Sequence, residues 1–490
     1  MRLSLFLTLL SSSFVVAVAA ASTVRRRPRR GLKTGGGYQR CLSGADLLII
    51  GGKVVTMNKE KEIIGNGGIA VVDSKIDYVG DADTLLSMYC KDGSKKTIQV
   101  GENDIVMPGL VNGHSHNPMT LLRSIAGDDL SLQDWLNQFI FPAESKTVNP
   151  AFVRVGAALG AMEMISTGTT TYTDMYYFAD EQAHVIDRIG LRTVLGQAVI
   201  GFPVADARTP ADALNLTRTF LANWKGHPRI TPAVAPHSPY TLNQEYLDAS
   251  AKLAREFGAP IHIHVSETET EVNTIKEQSG GLTPFEYLNS FGLLGPDVIA
   301  AHSVVLTRND IDIILETETG LVHNPESNMK LASGVMPVPD LKEKGVKLGL
   351  GTDGPASNDN LDMMEAILIT PLLQKVNNME TTVISAYPVL EMATIEGARA
   401  LGMEETIGSL EPGKQADIII LDGTNPPHMV PAYDLISLIV YSAKGCDVLS
   451  TIVAGQVLYE DRKFLTLDPV ATFAAARRQA GIVREAVGIF

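Results

Sequence analysis

The chain has 490 residues, 45% of them hydrophobic and 20% charged, which excludes wholesale disorder and exceeds what one minimal core requires. Eight of its 41 Lys and Arg lie in residues 1–43, a stretch without Asp or Glu, so the remaining 33 basic residues face 55 acidic ones, a net charge of −22. That balance argues against nucleic acid or an anionic membrane as the main partner and leaves a small-molecule substrate as the expectation.

At the N-terminus Arg2 precedes the apolar run LSLFLTLLSSSFVVAVAA, and Ala17-Val18-Ala19 and Ala19-Ala20-Ala21 offer small-residue cleavage sites. Residues 1–21 read as a secretory signal peptide, with an uncleaved anchor helix as the competing reading. Residues 22–44 include RRRPRRGLKTGGG, which buries too little to fold and reads as a linker or propeptide, or as part of a bipartite organellar address. The expected location is secreted or in the secretory pathway, with an organelle as the alternative and no stable membrane span after processing. Cys41, Cys90 and Cys446 are odd in number and widely spaced, suggesting neither a disulfide framework nor a cysteine zinc site. Asn215-Leu216-Thr217 is a candidate glycosylation acceptor. Self-association into a homo-oligomer stays open.

From residue 45 to 106, ADLLIIGGKVVTM, GGIAVVDSKIDYVG and KKTIQV read as short strands between Gly and Asp turns. Strands return at 405–470, in ADIIILD and DVLSTIVAGQVLYEDRKF, so the two ends are expected to pair in one small β-sandwich domain. Residues 471–490 are expected to form a C-terminal helix.

Between them, residues 107–404 alternate. Apolar β-rich runs occur at DIVMPGLVNGH, TTTYTDM, RTVLGQAVI, RITPAVAPHS, PIHIHV, DVIAAHSVV, GLVHNP and VKLGLGTDG. Most are followed by helical spacing; Tyr246, Leu247, Ala251, Leu253, Ala254 and Phe257, for example, make one apolar helix face. Eight strand–helix units predict an α/β fold, a TIM-like (β/α)8 barrel, with a doubly wound sheet as the alternative.

The active site of such a barrel lies at the C-terminal strand ends. Seven of the eight runs end in titratable residues: His114/His116, Asp174, His237, His264, His302, His323 and Asp353. Seven of the ten histidines fall in these runs, His262 included. His114 and His116 are two apart on a strand and share a face. His262 and His264 do likewise, but His264 is nearer the strand end and is followed by Glu267, so His264 is the candidate ligand and His262 a packed layer residue. With Asp353 the set is three neutral nitrogens and one carboxylate, an open site for one divalent metal, zinc or alternatively Fe2+. His302 is either a fifth ligand or a hydrogen-bond partner of the attacking water. The runs at 193–200 and 230–238 hold no lysine to bridge a second metal.

PGLVNGHSHNPMTLLR, HIHVSETETE, AAHSV, HNPESNMKLASG, GLGTDGPASNDNLDM and IGSLEPGKQADIIILD together resemble the amidohydrolase superfamily. More narrowly they are similar to the 5-methylthioadenosine/S-adenosylhomocysteine deaminases and their triazine-hydrolase relatives. The resemblance covers residues 45–470. It implies a barrel with a composite β-sandwich, metal ligands at His114, His116, His264 and Asp353, and catalytic roles for Glu267, His302 and Asp353. It further implies substrate contacts from Trp135, Glu144, His237 and Glu267, with Glu144 at ribose hydroxyls. One departure stands out: at the end of the third run, where such deaminases carry an arginine for an amino-acid carboxylate, this chain reads VLGQAVIGF with Gln197. The implied reaction is hydrolytic deamination of an aminated heterocycle, an adenosine derivative first. The alternatives are hydrolysis of another C–N or C–Cl bond, in a triazine, guanine or cyclic amide, and a non-catalytic scaffold.

Overall fold

Eight of the apolar runs become parallel strands that follow one another round a barrel in chain order. They are β1 (Leu110–Ser115), β2 (Thr169–Tyr176), β3 (Arg192–Val199), β4 (Ile230–Pro236), β5 (Ile261–Val265), β6 (Val298–His302), β7 (Gly320–His323) and β8 (Leu348–Leu350). This computed structural model describes residues 44–126 and 129–488. The signal-peptide reading and the linker up to residue 43 lie outside the described residues. Among the described residues no helix is long and apolar enough to cross a membrane.

Nearly every barrel-strand residue is buried, because helices cover the outside while side chains fill the inside. That is why these strands read as continuous apolar runs rather than as alternating ones. Val111, Val194, Ala233, Ile299 and Val322 cluster with Ala398, Leu401 and Ile407. The seam between β1 and β8 closes through Asn112 Nδ2 donating to Thr352 Oγ1 at 2.7 Å and Thr352 N donating to Asn112 Oδ1 at 3.1 Å. Asp353 N adds a bond to the His114 carbonyl at 3.0 Å.

Local signals set the helices. Gln244–Phe257 starts where the Asn243 side chain accepts from Tyr246 N and stops at Gly258 in the left-handed conformation. Its expected face is buried at Leu247, Ala251, Leu253 and Ala254. Asn215 lies within the helix Pro210–Trp224, where fully buried Thr217 donates to the Ala213 carbonyl at 2.8 Å.

The two chain ends do pair. Strand Ile418–Leu421 runs antiparallel to Ile105–Pro108, in register Ile418 to Pro108, within a seven-stranded sheet that also contains Lys53–Val55, Ile63–Ile64, Val448–Val453, Gln456–Glu460 and Lys463–Phe464. A second sheet of four strands, Leu47–Ile50, Gly67–Val72, Lys75–Asp81 and Lys96–Gln99, comes from the N-terminal end alone. Ile49, Ile69, Val106, Ile418 and Ile452 share one core between the sheets. Arg192, at the start of β3, ties barrel to sheet through a buried two-pronged pair with Asp417, at 2.7 and 3.1 Å. The C-terminal helix spans Pro469–Val487 and buries Ala476 and Val483 against the hydrophobic cluster that contains Trp135. Cys90 is disulfide-bonded, a correction to the cysteine reading: wide spacing in sequence says nothing about proximity in space. Cys446 is free and exposed.

Candidate active site and metal centre

The C-terminal strand ends bring His114, His116, His264, His302 and Asp353 together. Ligand atoms of His114, His116 and His264 lie within 4.8 Å of one another, as do those of His114, His302 and Asp353. Asp353 Oδ1 is 3.2 Å from His114 Nε2 and 3.3 Å from His116 Nε2, and His264 Nε2 is 3.2 Å from His116 Nε2.

Hydrogen bonds to the opposite ring nitrogens orient these imidazoles. His116 Nδ1 donates to the Met175 carbonyl and His264 Nδ1 to the His237 carbonyl, each at 2.7 Å. His114 Nδ1 lies 2.8 Å from His262 Nε2. With the Nδ1 atoms engaged, three Nε2 atoms converge beside a carboxylate, and His114 Nε2 is fully buried. Such a donor set fits a single divalent cation, zinc foremost. Asp353 is held by Ser327 Oγ and Ser357 Oγ on Oδ2, at 2.6 and 3.0 Å, and by Gly354 N on Oδ1 at 2.7 Å.

His302 is oriented the other way round. Asn328 Nδ2 donates to its Nδ1 at 3.0 Å, with Asn324 Nδ2 at 3.5 Å, so the ring proton sits on Nε2. That nitrogen faces Glu267 Oε2 at 3.7 Å and Asp353 Oδ2 at 3.9 Å, a donor position rather than a ligand's. Non-glycine residues with left-handed φ stand at three strand ends: Ser266 at 56°, His302 at 74° and Asp353 at 61°. Backbone strain of this kind survives where the surroundings over-determine it, often at working sites.

Burial drives His302 and His237 down to about 3 and holds His264 well below its ordinary value, so these rings are neutral. Burial also opposes charge on His116 and Asp353, yet hydrogen bonds outweigh it: the one to Asp353 lifts His116 to about 9, and those from His114 and His116 hold Asp353 well below the usual carboxylate range. Glu267 is the opposite case. Burial, then the negative charges of Asp353 and Glu271, push its carboxyl well above the ordinary value, and its nearest donor, Ser333 Oγ, is 3.5 Å away. Its main-chain N is anchored by Glu271 Oε2 at 2.7 Å.

A cavity opens on this cluster, lined by His116, His264, Glu267, His302 and Asp353 together with Trp135, Glu144 and His237, whose ring centroid is 4.7 Å from that of His264. Trp135 opens a π-helical turn, Trp135–Ile140, in the helical run from Leu132 to Thr147. Glu144 accepts from Tyr177 Oη at 3.2 Å, and burial lifts its carboxyl to about 7. His237 Nδ1 contacts Ser238 Oγ and Thr241 Oγ1, both at 3.2 Å. Of the candidate site residues, all but His114 line this cavity; His114 is fully buried behind it, its ligand atom within 4.8 Å of those of His116 and His264. Asp174 and His323 are not among its lining residues. Asp174 accepts from Ser115 Oγ, Asn117 N and Gln182 Nε2 and braces the end of β1, while both nitrogens of buried His323 lack partners. Sequence reasoning missed Ser327 and Asn328, which stand inside the quoted HNPESN motif, and Tyr177, which follows a strand end with no periodic signal.

The amidohydrolase family model matches residues 105–458. The chain is 41% identical over 426 residues to a 5-methylthioadenosine/S-adenosylhomocysteine deaminase of Syntrophobacter fumaroxidans, covering 87% of this chain and 95% of the relative. It is 44% identical over 383 residues to a 5'-deoxyadenosine deaminase of Methanobrevibacter smithii, covering 78% and 87%. The crystal structure of an adenosine deaminase from Xanthomonas campestris with bound zinc superimposes with a TM-score of 0.87 at 36% identity, over 90% of this chain and 99% of the other. With its barrel, its histidine–aspartate cluster and this likeness along most of its length, the chain belongs to the amidohydrolase family, as a metal-dependent hydrolase of C–N bonds.

Proposed function

We propose that the chain deaminates an adenosine-type nucleoside whose 5' end is small and uncharged, converting the ring C–NH2 and water into a ring carbonyl and ammonia. The observation that carries this reading is the pairing of a buried Glu267, its carboxyl pushed well above the ordinary value by burial, with the histidine–aspartate cluster at the end of a cavity whose described lining contains no Lys or Arg. Nothing in that lining would pair with the carboxylate of an amino-acid tail, and leaving such a charge unpaired on burial is costly. Gln197, at the end of β3, is occupied elsewhere: it accepts from Ala179 N and donates to Asp206 Oδ2.

His114, His116, His264 and Asp353 would hold the cation, which when bound supplies Lewis-acid activation of water near neutral pH. Glu267 delivers its proton to the ring nitrogen beside the carbon that bears the amine, so that negative charge does not accumulate there. Asp353 accepts a proton from the attacking water and returns it to the departing amine, and the proton that the added hydroxyl loses as the carbonyl forms restores Glu267. His302 Nε2–H donates to the oxygen being added and holds it over the ring carbon. Glu144 accepts from ribose hydroxyls, neutral His237 lies alongside the nucleoside, and Trp135 closes the apolar wall.

Ammonia release from adenosine, 5'-deoxyadenosine, 5'-methylthioadenosine, S-adenosylhomocysteine, guanine and an aminotriazine tests the proposal. The expected order places the uncharged 5' derivatives first in kcat/KM; a preference for S-adenosylhomocysteine, guanine or the triazine would overturn it. For the location we infer passage through an oxidising secretory compartment, a reading supported by the apolar leader and by the disulfide at Cys90. Finding the protein in the cytosol with Cys90 reduced would count against it.

A further inference from the structure

His116 and His264 hand their Nδ1 protons to main-chain carbonyls, which can only accept. His114 hands its proton to another imidazole, His262 Nε2, at 2.8 Å, with ring centroids 4.8 Å apart and planes at 79°. An imidazole can present either a lone pair or a proton, so this contact admits two arrangements. In one, His114 Nδ1–H donates to His262 Nε2, and His114 Nε2 keeps its lone pair toward Asp353. In the other, His262 Nε2–H donates to His114 Nδ1, and the proton on His114 Nε2 blocks ligation.

We propose that His262 is a positioning residue that fixes the tautomer of His114 and thereby sets the affinity of the centre for its metal. The proposal rests on the reading of His114 as a ligand. Packing alone does not require a histidine at this depth. His262 is fully buried, and in the inward layers of such barrels bulky branched apolar residues dominate. Its own Nδ1 is buried without a well-formed hydrogen bond, the Asp174 carbonyl being the main-chain acceptor that acts on the ring. The pairing with His114 is therefore what decides where its proton sits, and His262 must carry that proton on Nδ1. Of the three imidazole supports, this is the one a side-chain substitution can remove.

The full-length protein is compared with His262→Leu, His262→Gln and His114→Ala by chelator competition for Zn2+ and by the visible spectrum of the Co2+-loaded form. Loss of an outer-shell partner of a metal-bound histidine typically costs about 10- to 100-fold in metal affinity, and His262→Leu is expected to show that loss with an altered cobalt band. His262→Gln, whose amide oxygen can accept from His114 Nδ1, is expected to recover most of it. Wild-type zinc affinity in a folded His262→Leu protein, or no recovery in a folded His262→Gln protein, overturns the proposal. Should neither variant fold, nitrogen-labelled histidine resonances of the zinc-loaded wild type read the tautomer directly, and a protonated His262 Nε2 overturns it. Undiminished affinity in His114→Ala would instead remove the ligand reading beneath it, a separate failure.

Discussion

Replacing Glu267 with Gln isolates proton delivery from everything else Glu267 does. The carboxyl is buried, stands beside the negative charges of Asp353 and Glu271, and has Ser333 Oγ at 3.5 Å and His302 Nε2 at 3.7 Å as neighbouring donors. Burial and those charges push it well above its ordinary value, which favours the protonated form. An amide of the same shape preserves size and neutrality but has no acidic proton to give. Ground-state binding should be little changed, and the loss should fall on kcat. General acid catalysis is worth about 10² to 10⁴-fold, which corresponds to about 2.7 to 5.5 kcal/mol in the barrier. Ammonia release on the best nucleoside gives kcat and KM, and elemental analysis of the purified variant gives its zinc content. A variant that keeps both its zinc and its turnover would refute the proton-delivery role; one that loses zinc would show Glu267 acting on the metal centre instead.

Zinc must displace the proton that His116, raised to about 9, shares with Asp353. Apparent zinc affinity should thus rise about tenfold per pH unit below that value, and a flat affinity between pH 6 and 8 in chelator competition would contradict it. The sign for the metal-free fold follows from the same raised value. The contribution of His116 to stability is complete below its ordinary 6.5 and is lost as pH rises through about 9, so the thermal midpoint of the chelated protein should fall across that window while that of the zinc-loaded protein does not. Ser327→Ala removes the 2.6 Å bond to Asp353 Oδ2 and leaves Ser357 at 3.0 Å; zinc affinity should drop about tenfold, and unchanged retention on dialysis would show that Ser357 suffices. Arg192→Met strands a buried Asp417 carboxylate and should cost about 3 to 5 kcal/mol of stability, read as a lower denaturant midpoint without change in zinc content.

Much of the site was legible because barrel chemistry sits at strand ends, which apolar runs mark in the sequence. That rule marks His114, His116, His264 and Asp353, but marks Asp174 and His323 equally; Glu267 close behind favoured His264 over His262, and the catalytic role of Glu267 came from the family resemblance. Trp135 and Glu144 needed the family resemblance, since a tryptophan or a glutamate at helical spacing carries no private signal, and His237, marked by its strand end, took its substrate role from it. What stayed hidden depends on rotamer and on distance between remote segments. Ser327, in the short helix Pro325–Lys330, and Ser357, in a turn, bond one carboxylate oxygen from two separate segments, and His262 turns one nitrogen onto His114 across 148 positions. Periodicity does place His262 inside the barrel; it does not say which atom it touches. The four-stranded N-terminal sheet was likewise unseen as a separate layer, because strand length and alternation do not report which partner a strand chooses.

The barrel seam has a consequence for the order of events in the cell. Asp353 N bonds the His114 carbonyl, so two of the four proposed ligands meet only when the first and last strands of the ring meet. A nascent chain that has not yet extruded β8 can present histidines but not the completed cage. Loading with metal is thereby deferred until synthesis of the barrel has finished, and a chain carried unfolded across a membrane would collect its ion on the far side.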